Sequence, residues 1–144
     1  MLTLQTRPNL NSGPIIKPNG EKDSSTAYWI IRLFQGDPSI FDECPPQWHI
    51  DVRDNARLHV IALTDPSCNG QRFFSFAKPF DWNDILEIFR QQNPGKTFLD
   101  NKAGYGRDLS EIPNEDVEAL LRKHYGKGFT SLEESVAANT ATVK

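Results

Sequence analysis

The most informative pattern of apolar and polar positions lies between residues 48 and 63. Apolar residues first alternate with polar ones, as expected for a strand, at Trp48, Ile50 and Val52. Beyond a polar corner, apolar residues recur at the spacing of one helix face, at Ala56, Val60 and Leu63, with Leu58, His59 and Ala62 beside them. Asp54 stands at the corner, where a carboxylate accepts the free amides of the first helical turn. The sequence therefore predicts a strand, an N-cap at Asp54 and an amphipathic helix with one apolar stripe.

The rest of the chain predicts further strands and helices. Strands are expected over 2–6, ended by Pro8, over 72–76, and at a sheet edge over 97–99. Helices are expected from Ser24 or Ser25 to about residue 35, and from an Asp81 cap through Trp82, Ile85, Leu86 and Phe89. Two more are expected, one from Asn114 to Gly126 and one from a Thr130 and Glu133 capping box to about Asn139. Irregular loops are expected over 9–23 and 37–47, and a disordered tail over 140–144.

The composition indicates one ordinary globular domain. The chain has 144 residues, of which 38% are hydrophobic and 24% are charged. A net charge of −3 argues against a nucleic-acid partner, and the apolar runs are too short to predict a membrane span. Cys44 and Cys68 are isolated, without metal-binding or redox spacing. We therefore expect free thiols and a cytoplasmic protein.

The candidates for chemistry in the sequence are weak. The three histidines fall in separate segments without carboxylates or cysteines at metal-ligand spacing, so no metal site is predicted. Asp51, Arg53 and Asp54 are open to two interpretations. They could form an acid-base cluster, or they could form a helix cap and an ion pair at a strand-to-helix corner. We favour the cap and ion pair, because they explain the same residues without any chemistry.

The segment Asp51-Val-Arg-Asp-Asn-Ala-Arg-Leu-His59 resembles the Asp-Val-Arg-Asp-x-Ala-x-x-His signature of the extended short-chain dehydrogenase/reductases. Two further pieces resemble the same family, at 7–14 (Arg-Pro-Asn-Leu-Asn-Ser-Gly-Pro) and at 70–75. Three more resemble the fungal dihydroflavonol reductase-like ketoreductases of the NAD-dependent epimerase/dehydratase type, at 79–86, 106–110 and 128–135. The resemblance covers about residues 2–139, and the similar segments follow one another in the same order as in the family.

The resemblance implies an α/β fold. Residues 1–139 would form the C-terminal, substrate-binding lobe of a Rossmann-type extended reductase, with most of the parallel sheet missing. The family's Gly-rich loop, its catalytic Ser and its Tyr-x-x-x-Lys pair lie upstream of the turn at Arg7-Pro8, so a truncated chain is implied. The chain also departs from the family at Asn11 and Ser12, which replace an apolar-aromatic pair before Gly13.

The same resemblance assigns cofactor contacts. In the family, the backbone after the Pro of the turn lies along the nicotinamide ring of NADPH or NADH, which implies Pro8, Asn9 and Leu10 here. The Ser or Thr that opens the next helix approaches the phosphate end of the cofactor, which implies Ser25. The loop between these sites and the segment 41–48 would wall the substrate pocket.

The resemblance supplies no catalytic residue in this chain. Reduction in this family needs a Tyr whose pKa is lowered by a Lys one helical turn later. Arg32 stands four residues after Tyr28 and Leu109 stands four after Tyr105, so neither tyrosine fits. The residues themselves thus leave open whether the chain is an enzyme.

Two functions are compatible with these expectations. The first is a fragment of an NAD(P)H-dependent oxidoreductase of secondary metabolism that reduces a ketone or an aldehyde on a small organic molecule. Alone, this fragment would be inactive and would bind no cofactor. The alternative is a non-catalytic module that keeps the lobe to bind a small ligand or a protein. In either case, exposed strands would favour self-association.

Overall fold

Two small sheets organise the protein in a computed structural model that describes residues 5–16, 22 and 24–143. The strands in these ranges are β1 (Gln5–Pro8), β2 (Leu10–Ser12), β3 (Gln47–Asp51), β4 (Arg72–Ser75) and β5 (Lys78–Phe80). β1 pairs in parallel with β4. β2 pairs in parallel with β3, and β3 pairs antiparallel with β5. The fold is therefore α/β, as expected, with two short parallel pairs.

Helices connect and cover these strands. They are α1 (Ser25–Phe34), α2 (Ile40–Glu43), α3 (Val52–Thr64), α4 (Trp82–Gln92), α5 (Glu115–Tyr125) and α6 (Leu132–Asn139). A 3₁₀ turn over Pro66–Cys68 follows α3. All the helices expected from the sequence are present, and α5 ends at Gly126 with a left-handed φ of 72°.

Three short elements were not expected, and one expected strand is absent. The loop predicted over 9–23 contains β2, the loop predicted over 37–47 contains α2, and β5 follows β4 directly. With three or four residues each, these elements are too short to produce a recognisable period. The strand predicted over 97–99 is wrong, because Phe98 and Leu99 pack irregularly against the core. Residues 2–4 of the first predicted strand lie outside the described residues.

The buried apolar side chains form two separate clusters. The larger cluster joins α1, α2, α4 and α6, and includes the predicted face of α4 at Trp82, Ile85, Leu86 and Phe89. The smaller cluster joins α3, β4 and α5 through Leu58, Ile61, Cys68, Phe73, Val117 and Leu121. In the segment 140–144, expected to be disordered, Thr140 is buried and Val143 packs against the larger cluster.

The cap of α3 is Asp51 and not Asp54. An oxygen of Asp51 accepts the backbone amide of Arg53 at 2.8 Å. Strand β3 runs directly into the helix, so Asp54 already lies in the first turn. The predicted ion pair is present, since the guanidinium of Arg53 binds both oxygens of Asp51 at 2.8 Å.

The cap of α6 differs from the prediction as well, in this case by one residue. Ser131, rather than Thr130, accepts the amide of Glu134 at 3.1 Å. The cap of α4 is as predicted: Asp81 accepts the amide of Asp84, and the carboxylate of Asp84 accepts the amide of Asp81.

The apolar stripe predicted on α3 faces solvent. Ala56 is exposed, and the side chains of Val60 and Leu63 are 50% and 83% exposed. The buried face of α3 is formed by Asp54, Leu58 and Ile61, of which only Leu58 was expected beside the stripe, because this side of the helix packs against β4 and α5. His59 is exposed as well.

Candidate functional site

A cavity of about 500 Å³ lies beside the carboxyl ends of the parallel strands β2 and β3. It is lined by residues 11–16, by residues 24–27 at the start of α1, and by Val52 at the start of α3. Ligands of open parallel α/β sheets bind outside the carboxyl ends of the strands. This position makes the cavity the candidate functional site.

A buried carboxylate lies next to the cavity lining, at the residue before Val52. Asp51 is fully buried at the end of β3, and the hydroxyl of Ser135 on α6 donates to its Oδ2 at 2.7 Å. Burial raises the pKa of Asp51, but the hydrogen bonds from Arg53 and Ser135 outweigh this effect and hold it below its ordinary value. Asp51 is therefore a charged structural group that joins β3, α3 and α6.

Ser12 and Gly13 connect the end of β2 to the same helix. The hydroxyls of Ser12 and Ser135 lie 2.8 Å apart, and both are buried. The backbone amide of Gly13 donates to Oδ1 of Asn139 at 3.3 Å. Gly13 has a φ of 122°, and a Cβ there would lie 3.0 Å from an oxygen of Asp51. Only glycine suits this close approach.

Asn11 joins β2 to α1 and α3. The hydroxyl of Thr26 donates to the carbonyl oxygen of Asn11 at 2.8 Å and accepts its amide at 3.2 Å. The side-chain amide of Asn55 donates to Oδ1 of Asn11 at 2.8 Å. Asn11 and Ser12, which depart from the family pattern, thus have polar partners in this chain. Their polarity is part of a connected network rather than a defect in an apolar wall.

The predicted cofactor residues fall in different environments. Ser25 is exposed and lines the cavity at the first residue of α1. Pro8 ends β1, Asn9 is half-buried, and Leu10 is fully buried in the larger cluster. These three residues precede the cavity lining, which begins at residue 11. The side chain of Leu10 is therefore unable to contact a ligand, and any contact there would come from the backbone.

The segment 41–48 does not wall this cavity. Phe41 and Cys44 are buried in the larger cluster, and Tyr105 donates its hydroxyl to the Cys44 carbonyl oxygen at 2.7 Å. Burial raises the pKa of Tyr105 to about 12, opposite to the direction that a proton-donating tyrosine needs. Tyr105 is a structural residue here.

Two residues that support the cavity lining have no signal in the sequence. Ser135 and Asn139 act on the cavity from α6, which is separated from β2 by more than a hundred residues. Asn11 and Ser12 lie in strand β2, where a loop was expected, and their partner Thr26 lies in the first turn of α1. The local signals were the departures from the family pattern at Asn11 and Ser12 and the expectation that the loop after Pro8 walls the pocket, which agrees with the cavity lining over 11–16.

Proteins with related sequences are reductases. The chain is 39% identical over 111 residues to "Ketoreductase nvfG" of Aspergillus novofumigatus, covering 76% of this chain and 32% of that protein. It is 35% identical over 137 residues to "Ketoreductase adrE" of Penicillium roqueforti, covering 93% of this chain and 40% of that protein. It is 33% identical over 130 residues to "Aldehyde reductase 2" of Sporidiobolus salmonicolor, covering 90% and 38%. No family model matches the chain.

Two solved structures share the fold of this chain. The crystal structure of Gre2 from Candida albicans matches with a TM-score of 0.77 and 21% identity, over 99% of this chain and 44% of that one. The same reductase in complex with NADPH matches with a TM-score of 0.74 and 21% identity, over 96% and 42%. The chain is therefore a relative of the extended short-chain reductases. It spans about two fifths of the length of these relatives.

These similarities confirm the resemblance expected from the Asp-Val-Arg-Asp segment. In this structure the two aspartates of that segment are structural: Asp51 caps α3, and Asp54 accepts the amide of Thr130 at 2.6 Å. The interpretation of this corner as a cap and an ion pair agrees with the geometry. No helix in the described part of this reductase relative is long and apolar enough to cross a membrane.

Proposed function

We propose that the chain is the C-terminal, substrate-binding portion of an NAD(P)H-dependent reductase that reduces a ketone or an aldehyde on a small organic molecule. The cavity beside β2 and β3 is the observation that carries this proposal, because it lies where such folds bind ligands. The names of the relatives, ketoreductase and aldehyde reductase, support the class of reaction. A cytoplasmic role in secondary metabolism completes the proposal, and the free, buried cysteines are compatible with a reducing compartment.

The residues of the cavity suit binding rather than chemistry. No residue that the structure describes in its lining has a titratable side chain. Ile15, Ile16 and Val52 offer apolar surface, and hydroxyls lie at the start of α1. The first turn of α1 has no acidic residue, so the partial positive charge of the helix terminus is uncompensated there. This chain would therefore hold and orient a substrate.

The cofactor fits this site only in part. Ser25 lies in the cavity at the helix terminus, where it would face a phosphate group. Pro8, Asn9 and Leu10 would offer backbone groups beside the nicotinamide ring, since the Leu10 side chain is buried. When bound, the cofactor would supply the hydride. We propose that the cofactor is held mainly by a separate Rossmann-type portion, and that this chain alone binds NADPH weakly and is inactive.

Reconstitution tests the proposal. The chain would be joined to the cofactor-binding portion of the Penicillium roqueforti ketoreductase, and NADPH oxidation would be measured with a panel of small ketones and aldehydes. We expect activity from the joined protein and none from the chain alone. Ala27→Trp, which fills the cavity, should abolish activity, whereas Ala103→Trp on an exposed loop should not.

Two results would contradict the proposal. Full activity of Ala27→Trp would show that the cavity is not the substrate site. Micromolar binding of NADPH to the chain alone, measured by calorimetry, would overturn the division of roles between the two portions. Binding of carbonyl compounds without turnover in the joined protein would instead favour the non-catalytic binding module.

A further inference from the structure

Helix α6 carries two fully buried polar residues, Ser135 and Asn139, which are both 0% exposed. They stand four residues apart, so their side chains are neighbours on one side of the helix. Buried polar groups of this kind are stable where hydrogen bonds satisfy them. The partners are Ser12 and Asp51 for Ser135, and Gly13 and Ala27 for Asn139. This side of α6 is therefore the support of the cavity beside β2 and β3.

Asn139 joins two walls of the cavity that come from different elements. Its Oδ1 accepts the backbone amide of Gly13 at 3.3 Å, and its Nδ2 donates to the carbonyl oxygen of Ala27 at 3.1 Å. Gly13 follows β2, Ala27 lies in the first turn of α1, and both line the cavity. A side-chain amide has a donor end and an acceptor end, so a single residue can bridge an N–H and a C=O group.

Ser135 makes a different kind of connection. Its partners Ser12 and Asp51 are directly paired across the parallel strands β2 and β3. The sheet already holds these two residues together, so Ser135 adds α6 to a corner that is fixed without it. Of the two buried polar residues, Asn139 is the one that links separate elements to each other.

A second joint between the same two walls lies at Thr26. Its hydroxyl donates to the carbonyl oxygen of Asn11 and accepts the backbone amide of that residue. Thr26 thus holds α1 at Asn11, and Asn139 holds it two residues further along, at Gly13. Two elements that are joined at one place can turn about that joint, whereas joints at two places fix the angle between them. Asn139 therefore determines how the start of α1 is inclined to the end of β2.

We propose that Asn139 is a positioning residue for the substrate, because it fixes the angle between the β2 wall and the α1 wall of the cavity. This inference rests on the proposed function, in which the cavity holds the carbonyl compound. Asn139 is buried and does not belong to the cavity lining, so it acts through Gly13 and Ala27 and does not touch the substrate. A misplacement of about 1 Å caused from a distance can cost an enzyme about 100-fold. The walls would fit the substrate less well without the side-chain amide of Asn139.

Steady-state kinetics of the joined protein described above tests the role of Asn139. The substrates are a panel of carbonyl compounds that runs from acetone to acetophenone. Asn139→Leu keeps the branched shape of the side chain and removes both hydrogen bonds. We expect it to raise the KM of the preferred substrate at least about fivefold, because the loss falls on substrate binding. Asn139→Ala removes the same two hydrogen bonds with a smaller side chain, so it should also raise the KM, and it replaces Asn139→Leu if the larger residue prevents folding.

Two further substitutions serve as comparisons. Asn93→Ala is the matched control, because Asn93 also donates its side-chain amide to a backbone carbonyl oxygen, that of Phe89 at 2.9 Å, but lies outside the cavity lining. It should leave the KM and the kcat unchanged. Ser135→Ala should raise the KM less than Asn139→Leu does, because the sheet already joins Ser12 to Asp51.

The outcomes separate this inference from the proposed function. A merely structural role of Asn139 would lower the kcat by one factor for every substrate and leave the KM unchanged, because unfolded molecules bind nothing; this result would overturn the inference. If the joined protein binds the ketones without reducing them, dissociation constants from calorimetry replace the KM. A rise of these constants in Asn139→Leu would then sustain the inference while the proposed function fails. Reduction with the same KM in both Asn139 variants would do the opposite, and a joined protein that neither binds nor reduces the panel would overturn both.

Discussion

At the scale of single residues, Asp54 holds two segments together from a buried position. Its side chain is fully buried, Oδ2 accepts the Thr130 amide at 2.6 Å, and Oδ1 accepts from the guanidinium of Arg57 at 3.0 Å. Asp54→Asn keeps the shape but removes the charge that Arg57 faces. We expect it to lower the free energy of unfolding by about 1–3 kcal/mol, the usual cost of leaving a buried partner poorly satisfied. Urea denaturation measures this loss.

The control for Asp54 is an aspartate whose charge lies in solvent. Asp42→Asn removes a carboxylate that is 78% exposed and paired with Lys102, so it should change stability by less than about 0.5 kcal/mol. Equal effects of the two substitutions would contradict the structural role of Asp54. If Asp54→Asn left the free energy of unfolding unchanged, Asp54 would behave as a simple helix cap. The geometry assigns that role to Asp51.

His49 makes the stability of the protein depend on pH. Burial lowers the pKa of this residue, which is 1% exposed, to about 4, although Asp51, Asp54 and Glu133 nearby favour its charged form and Lys78 opposes it. The ordinary pKa of about 6.5 applies to the unfolded chain, so between these values the unfolded state binds a proton that the native state does not. The free energy of unfolding should therefore fall by about 3 kcal/mol as the pH drops from about 6.5 to about 4.

NMR titration of the imidazole resonances checks this prediction directly. The resonance that disappears in His49→Gln should stay in its neutral position down to a pH near 4. The difference in stability between the unmodified chain and His49→Gln should shrink over the same interval. A midpoint near 6.5 for this resonance would show that the imidazole is solvated and that the pH effect has another origin.

At the scale of elements, the start of α6 depends on one hydroxyl. Ser131 accepts the amide of Glu134, so Ser131→Ala should cost about 0.5–2 kcal/mol of stability, as the loss of an N-cap does. Ser131→Asp should restore most of the loss, because Asp caps a helix equally well. Thermal melts of the two variants measure the difference. Equal destabilisation by both substitutions would mean that packing, and not capping, fixes this helix end.

The elements differ in how far the sequence could predict them. Helix α4 was predictable because its cap at Asp81 and its buried face are both local patterns. Strands β2 and β5 were not, since three residues give no period. The predicted caps of α3 and α6 were wrong because several nearby residues have side chains that could cap a helix. Only the backbone conformation selects one of them. The contacts of Ser135 and Asn139 with the cavity depend on long-range folding.

Helix α3 shows a different limit of sequence patterns. Apolar residues at helical spacing indicate that a face is covered, but they do not say by what. The stripe with Val60 and Leu63 looked like the face turned to the core, while Leu58 and Ile61 form that face in the structure. A helix with two apolar faces is expected where a second element packs on it. The pattern thus predicted burial for Val60 and Leu63, which the structure leaves 50% and 83% exposed.

At the scale of the whole molecule, the two apolar clusters should unfold separately. The larger cluster contains 15 buried residues and the smaller cluster contains six, among those the structure describes. The smaller cluster is built on the two-stranded sheet of β1 and β4, which is a weak unit by itself. Local opening follows low burial, so amides of β4 and α5 should exchange with solvent before those of α1 and α4. The free energies of opening that native-state hydrogen exchange measures should differ between the two groups by at least about 1.5 kcal/mol. This is the stabilisation gained by burying one large side chain.

Two matched substitutions make this prediction specific. Leu121 in the smaller cluster and Leu33 in the larger one are both buried, with 1% and 0% exposure. Leu121→Ala should remove about 2–5 kcal/mol of local stability and speed the exchange of β4 and α5 while α4 stays protected. Leu33→Ala should speed exchange throughout, because the smaller cluster is not expected to persist without the larger one. If Leu121→Ala sped the exchange of α4 equally, the chain would be one cooperative unit, and the prediction that the two clusters unfold separately would be wrong.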